Sequence, residues 1–365
     1  MNKTHLLLWA LLALAACSGT EMPEPEPVAV GFTLEEGTKT GFAGEVDGSA
    51  IRATGFGVYG YVNPGSSWAA AGASAKPGFM TNQHVQFEGS WTYRPLKYWP
   101  NDASNAVSFF AYAPYVSLED VFGSSTGIIS LPGKDDTGAP KVGYKTADNP
   151  AFGVDLMVGV AASAHVSPAV TAGAPFLNMT KMPVGDKMDY RFVHTLTRLC
   201  VLVDAVSASD LDWDNTRVVV ESISLGDAGQ ALYTQGALNL ASTAWESLSG
   251  QVEDLTALMA TGFRFVSGNT ESVTYFTQQP LGVSGTPQSL FGKGVDGTSD
   301  AALLYIPGPA SEDPLSLTVV YHVIIRDPAQ DSGYSTRRRE VTVTPAAHFT
   351  AGQTTTLRLH LNASL

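Results

Sequence analysis

Cys17 is the residue whose type and position point most directly to covalent chemistry. It follows Leu14-Ala15-Ala16 at the end of a short apolar run, and Lys3 lies near the start of the chain. A basic start, a short apolar run and two small residues before a cysteine form the lipobox of a bacterial lipoprotein signal. We therefore expect removal of residues 1–16 and acylation of Cys17, which anchors the protein to a membrane. The alternative is an ordinary secretory signal with a chance cysteine.

A second group of residues has the spacing of a cation site. Carboxylates stand at positions 1, 3, 5 and 12 of a calcium-binding loop, in the order Asp210, Asp212, Asp214 and Glu221. Asn215 occupies the position where that loop needs glycine for its sharp turn. Calcium binding and a simple acidic turn that leads into a strand therefore both stay open.

Other chemistry is not indicated by the residue types. The sequence contains no His-Glu-x-x-His motif, no phosphate-binding glycine loop and no cysteine pair that could bind zinc. Once Cys17 is acylated, Cys200 is the only thiol, and its neighbours Leu199 and Val201 predict a small core residue. We expect a protein that is not an enzyme and has no cofactor.

The sequence pattern predicts that most elements of the chain are short strands. Apolar residues alternate near both ends of the chain, a pattern typical of half-buried strands: Val28, Val30, Phe32 and Leu34, then Leu357, Leu359 and Leu361. Many further short apolar runs lie between Gly- and Pro-containing turns, which predicts an all-β protein of two tandem antiparallel β-sandwich domains. The expected parts are the signal at 1–16, an acidic Pro-rich tether at 17–27, and sandwiches at 28–187 and 188–365.

The charge of the chain limits its partners. The formal net charge is −13. An acidic surface argues against nucleic acid and against electrostatic docking to anionic lipid. A lipid-held ectodomain at the cell surface agrees with this charge.

Arg52 lies between the first predicted strand and the body, in a stretch expected to be flexible. A cut there releases the lipid, the tether and the strand together, and the groove left behind could accept a strand from a neighbour. Such β-augmentation takes affinity from main-chain hydrogen bonds and register from alternating side chains. The alternative is two ordinary edge strands in a protein that is never cut.

Several segments of the chain resemble fimbrillin-like lipoproteins, the subunits of Gram-negative type V pili. Together with the lipobox, they run from residue 1 to about residue 361 in the family's order: Lys97-Tyr98-Trp99-Pro100, Val107 to Tyr115, Asp155 to Val158, Phe192 to Arg198 and Phe349 to Gln353.

The resemblance implies two transthyretin-like sandwiches and a non-enzymatic structural, tip or anchor subunit of an adhesive fimbria. It implies an outer-membrane lipoprotein that loses its first strand to an arginine-specific protease and then joins other subunits by strand exchange at the cell surface. On this basis Arg52 is the expected cleavage point, with Lys39 as the alternative. The departing strand is Val28 to Leu34, and the donor runs from Thr355 to Leu365. A host or bacterial surface ligand is a further expected partner.

A cluster of aromatic residues supports a different function. Trp91, Tyr93, Tyr98 and Trp99 could stack on sugar rings, as in a lipid-anchored surface glycan-binding protein. The alternative is that these side chains fill a core and cover sheet edges.

Overall fold

The computed structural model describes residues 26–35, 48–166, 169–207, 211–226, 231–265, 275–276, 282–294, 297–309 and 315–364. Cys17, Lys39, Asp210 and Leu365 lie outside the described residues, so the expectations placed on them stay predictions. Within the described parts of the chain, no helix has the length and apolar character needed to cross a membrane.

The described residues form short helices and many strands. The α-helices are α1 (Gly48–Thr54), α2 (Trp68–Ala71) and α3 (Leu118–Val121), and short 3-10 helices lie at Pro150–Phe152 and Thr256–Leu258. The strands of the first half are β1 (Phe32–Leu34), β2 (Phe56–Pro64), β3 (Met80–Phe87), β4 (Trp91–Thr92), β5 (Asn105–Ala113), β6 (Gly127–Ser130), β7 (Lys141–Lys145), β8 (Met157–Ala161), β9 (His165–Val166), β10 (Ala169–Val170) and β11 (Phe176–Met179). Those of the second half are β12 (Met188–His194), β13 (Thr197–Val206), β14 (Thr216–Leu225), β15 (Leu232–Asn239), β16 (Ala244–Gln251), β17 (Gln288–Ser289), β18 (Leu303–Pro307), β19 (Leu317–Arg326), β20 (Tyr334–Val343) and β21 (Thr354–Asn362).

The first sheet runs in the order β1-β12-β8-β5-β2-β3-β4, with β11 also paired to β5. Its central strand β5 is buried on both faces from Val107 to Ala113, which explains its nearly continuous apolar sequence. On one face of this sheet, Tyr59 and Phe110 pack against Tyr144 of β7 and Ile306 of β18. Residues on the other face pack against one another in a separate core, which includes β1. The sheet therefore curls around that second core.

The second half of the chain forms another sandwich. One sheet has the order β17-β13-β18-β15-β7-β6, with β21 beside β13 and β16 beside β15, and it faces a sheet of β14-β19-β20. Their shared core contains Val201, Val220 and Tyr321. The expected all-β architecture with sandwich cores is confirmed.

Strand pairing crosses the boundary expected at residues 187 and 188. β12 begins at Met188 but belongs to the first sheet, where it pairs with β8 and β1. β7 comes from the first half of the chain but pairs with β15 from the second. β6 also belongs to the sheet of β13, and from β13 onward every described strand belongs to the second sandwich. The division at 187/188 stays a prediction about domains and does not coincide with the start of β13.

Two pairings depart from the expected antiparallel arrangement. β1 runs parallel to β12, and β21 runs parallel to β13. These are the strands at the two ends of the chain, so the connections between partners are long enough to permit a parallel approach.

Candidate functional site

The segment from Val28 to Leu34 closes a seam in the first sheet. Val28, Val30 and Phe32 are buried and Leu34 is partly buried, so the alternation seen in the sequence corresponds to an inward face. Only Phe32–Leu34 forms a regular strand. Before it, Ala29 pairs with Tyr98 through a single isolated β-bridge.

Hydrogen bonds hold this segment on both sides. On the β12 side, Met188 N donates to Gly31 O at 2.9 Å. On the other side, Val30 N donates to Lys97 O at 2.9 Å, and Trp99 N donates to Val28 O at 2.9 Å. Residues 97–99 follow β4, which ends the sheet opposite to β1. The segment therefore joins the two ends of the curled sheet, and its removal would leave a slot with two unpaired edges.

Aromatic rings form the floor of this slot. The Phe32 ring centroid lies 5.5 Å from that of Tyr93, 5.8 Å from Phe109 and 6.0 Å from Tyr190. The Tyr93 hydroxyl donates to Val30 O at 2.8 Å, and burial raises the pKa of Tyr93 to about 12. At neutral pH the hydroxyl therefore stays protonated and remains a donor to the segment.

The same floor accounts for most of the aromatic cluster considered for sugar binding. Tyr93 and Trp99 are each 3% exposed, and Trp91 is only partly exposed. Tyr98 alone of the four is well exposed, at 47%. Sugar stacking needs an open aromatic face, so this structure does not support the glycan-binding alternative.

Arg52 lies in α1 and not in the flexible stretch expected from the sequence. Ile51 is 4% exposed and anchors the helix, and its carbonyl accepts a hydrogen bond from Gly55 N at 2.7 Å. The guanidinium carbon of Arg52 lies 4.9 Å from the ring centroid of Phe87. The Arg52 side chain is exposed, but the bond after it belongs to an ordered helix. Proteolysis favours locally unfolded backbone, so a cut here requires α1 to unwind.

The C-terminal strand β21 packs as an alternating apolar strand, as expected. Leu357, Leu359 and Leu361 are buried in the core of the second sandwich. β21 pairs with β13 from Arg198 opposite Thr354 to Val206 opposite Asn362. Both predicted exchange strands therefore bury one face and run parallel to a sheet neighbour.

Comparison with known proteins agrees with this architecture. A family profile described as fimbrillin-like matches residues 46–365. The chain belongs to the fimbrillin-like family. Fimbrium subunit Fim1C of Phocaeicola vulgatus is 27% identical over 257 residues, which cover 68% of this chain and 62% of that relative. The chain thus spans less than two thirds of the relative's length.

A solved structure has the same fold as this fimbrillin-like chain. The crystal structure of a fimbrial protein from Bacteroides vulgatus superposes with a TM-score of 0.59 at 21% identity. The match covers 90% of this chain and 95% of that protein. At this level of identity the similarity establishes the fold alone.

The described members of the calcium pattern, Asp212, Asp214 and Glu221, do not converge on one point, and the pattern stays a prediction because Asp210 lies outside the described residues. Glu221 lies within β14, where its carboxylate is 2.6 Å from His322 Nε2 and 3.0 Å from Arg338 Nε. Asp212 accepts a hydrogen bond from Asn215 in the turn before β14. An extended strand carries Glu221 away from this turn, whereas a calcium loop folds back on its cation. In the described part of the chain, no group of three or more metal-ligating side chains is placed to hold an ion.

Residues Gly123 to Gly127 match the pattern Gly-x-Ser-x-Gly. This pattern marks the nucleophile of many hydrolases when it joins a strand to a following helix. Here it lies in a loop between α3 and β6, and Ser124 Oγ donates to Thr126 O at 2.9 Å. The order helix, loop, strand is the reverse of a nucleophile elbow, so Ser125 is not presented as one.

Cys200 is a buried free thiol, as its apolar neighbours predicted. Burial raises the pKa of this thiol above its ordinary value. A protonated, buried thiol is a poor nucleophile, which agrees with a packing role.

Proposed function

We propose that this protein is a subunit of a cell-surface fimbria that assembles by strand exchange. In this proposal, proteolysis removes the segment that closes the first sheet, and β21 of another copy enters the vacated slot. The observation that carries the proposal is the seam itself, because Val28 to Leu34 bonds to backbone on both sides and buries its apolar face. The name of the Phocaeicola vulgatus relative as a fimbrium subunit supports the fimbrial part of this proposal.

The two strands are suited to exchange one for the other. β1 and β21 each run parallel to their sheet neighbour, so a donor can enter the slot in the direction of the strand it replaces. Leu357, Leu359, Leu361 and Ala363 have the same spacing as Val28, Val30, Phe32 and Leu34. Each large apolar side chain that is fully buried contributes roughly 1.5–3 kcal/mol. Several such side chains provide the affinity that a durable fibre contact needs.

Processing is the step that starts assembly in this proposal. Cys17 holds the precursor on the outer membrane through its acyl chains, and an arginine-specific protease cuts after Arg52, with Lys39 as the alternative. Because α1 surrounds Arg52, cleavage is expected to be slower than in an open loop. The mature subunit then contributes to adhesion at the cell surface.

Protease treatment of the purified mature protein, followed by intact mass and electron microscopy, tests this function. With an arginine-specific protease, we expect a cut after Arg52 and then fibres, and Arg52→Gln should leave the chain whole. A cut after Lys39 would require a protease that accepts lysine. A protein that is cut at Arg52, loses residues 17–52 and stays monomeric would overturn exchange.

The donor strand is tested by charge on its inner face. Leu359→Asp should block fibres, and Thr356→Asp is the matched control because Thr356 is exposed on the same strand. Leu359 also packs in its own subunit, so a second experiment avoids any fold defect. A synthetic peptide of residues 355–364, added in excess to the cut protein, should occupy the slot and shorten the fibres. Fibres of normal length with this peptide would contradict the donor assignment.

A further inference from the structure

The second sandwich has an open side between β20 and β21. β20 is the end strand of its sheet, and among the described residues β21 pairs only with β13. A groove of about 420 Å³ lies between the two strands. Its apolar lining includes Leu317, Val319, Val341, Val343 and Leu357. No described strand pairs with the outer edge of β21, whereas residues 28–34 close the corresponding side of the first sheet.

The inner face of β20 changes character along its length. Residues directly opposite each other on antiparallel strands share a face. Val343 lies opposite Leu317 and Val341 opposite Val319, so both valines face the core side, yet they are 37% and 41% exposed. The groove is therefore apolar at this end and lacks the cover that the rest of the core has.

The other end of the same face is cationic. Arg339 lies opposite Tyr321 and Arg337 opposite Val323, and both opposing residues belong to the core. Arg339 donates a hydrogen bond to Ser364 O, which places it at the C-terminal end of β21. An occupant that runs parallel to β21 therefore meets apolar side chains first and arginines last.

Residues 28–36 of this chain have that order of side chains. Val28, Val30, Phe32 and Leu34 alternate, and Glu35 and Glu36 follow directly. In its own slot, this segment runs parallel to β12 on one side and antiparallel to the chain at Tyr98 on the other side. In the groove it would again have one parallel neighbour, β21, and one antiparallel neighbour, β20. Its carboxylates then lie toward the end of β20 that carries Arg337 and Arg339.

Charge favours this occupant over a second copy of β21. Residues 354–362 carry Arg358 and His360 and no carboxylate side chain. Placed in the groove, this Arg358 would add positive charge to a site already lined by Arg358 and His360 of the receiving subunit, with Arg339 and Arg337 further along the same face of β20. Like charges in contact oppose binding, and opposite charges select the partner and its register.

We propose that the groove between β20 and β21 binds residues 28–36 from the N-terminal segment of a second copy. The release of that segment from its own slot rests on the proposed function. The groove exists only while β21 stays in its own subunit. In a fibre the cut segment therefore binds the subunit whose β21 has not been donated. Binding by the groove itself does not depend on cleavage.

A peptide titration on the uncut mature protein tests the groove. In the uncut chain, the tethered segment fills the first slot at high effective concentration, so an added peptide reports on the second site. We expect a fluorescent peptide of residues 26–37 to bind saturably and to bind at least tenfold more tightly than a peptide of residues 354–364. Replacing Glu35 and Glu36 of the peptide by Lys should weaken binding about tenfold or more.

Variants on the two faces of β20 locate the site. Val341→Asp should weaken binding at least tenfold, and Thr336→Asp on the outer face of β20 should leave it unchanged. Both positions are exposed, so both variants should keep the parent melting temperature. Three results would each overturn the proposal. They are no saturable binding of the 26–37 peptide, an equal loss of its affinity in the two variants, and tighter binding of the 354–364 peptide. Failure of the fibre assay alone would overturn strand exchange and leave the titration result standing.

Discussion

Phe32→Ala is the perturbation that tests most directly whether residues 28–34 hold the first sheet closed. The Phe32 side chain is 2% exposed and its ring contacts Tyr93, Phe109 and Tyr190. Truncation of a buried phenylalanine to alanine costs about 3–5 kcal/mol, because transfer energy is lost and a cavity remains. Since about 1.4 kcal/mol is a tenfold change in an equilibrium constant, opening of the seam should become roughly 100- to 4,000-fold more frequent.

Amide hydrogen exchange in the uncut protein measures this opening. The amides of Val30, Trp99 and Met188 donate hydrogen bonds across the two sides of the seam. If the seam opens locally, these three amides should lose protection by the full factor, while amides in the second sandwich, such as that of Val203, should change much less.

The control uses the neighbouring residue on the other face. Thr33 alternates with Phe32 and is only partly buried, so Thr33→Ala should change protection by a few-fold, equivalent to about 0.5 kcal/mol or less. Unchanged protection of the seam amides in Phe32→Ala would refute the reasoning that this ring anchors the segment. An equal loss in both sandwiches would show that the segment does not open independently.

Further predictions concern packing, pH and thiol reactivity. Gly159→Ala should lower the urea midpoint by an amount equivalent to about 1–3 kcal/mol, because the added Cβ would lie 2.7 Å from Ala111 Cβ; an unchanged midpoint would contradict this close approach. The hydrogen bond from His322 lowers the pKa of Glu221 below its ordinary value. This contact therefore stabilises the folded state at pH values above the ordinary carboxyl pKa, and its contribution is lost as pH falls through the lowered pKa of the folded state. Urea unfolding between pH 3 and 7 should therefore show a smaller acid loss of stability in Glu221→Gln than in the parent, and equal losses would rule out this contribution. Cys200 should react with a thiol reagent only at the rate of local opening, and at once in denaturant; rapid labelling of the native protein would show that the thiol is accessible.

The sequence alone was enough to identify the inward faces of residues 28–34 and of β21. An alternation of apolar and polar residues at period two is a local property, and it fixes which side chains share a face. Val28, Val30 and Phe32 face inward, as do Leu357 and Leu359, and Cys200 is buried as its neighbours predicted. The all-β class followed from the same local patterns.

The sequence did not reveal how the residues of the candidate site are arranged in space. It placed Arg52 in a flexible stretch, but Ile51 finds a buried position and holds the bond after Arg52 in a helix. It left a calcium loop and an acidic turn that leads into a strand both open for Glu221, and it gave no sign that pairing of β14 with β19 brings His322 beside that carboxylate. In both cases, contacts with distant residues outweigh local pattern.

Only the tertiary structure decided which strand lies next to which. A period-two pattern specifies a buried face but names no partner for the two edges of a strand. The sequence therefore could not show that residues 28–34 join the two ends of one sheet, or that β12 belongs to that sheet. The open side of the second sandwich is hidden for the same reason, because unpaired edges follow from how strands are arranged in space and not from which residues they contain.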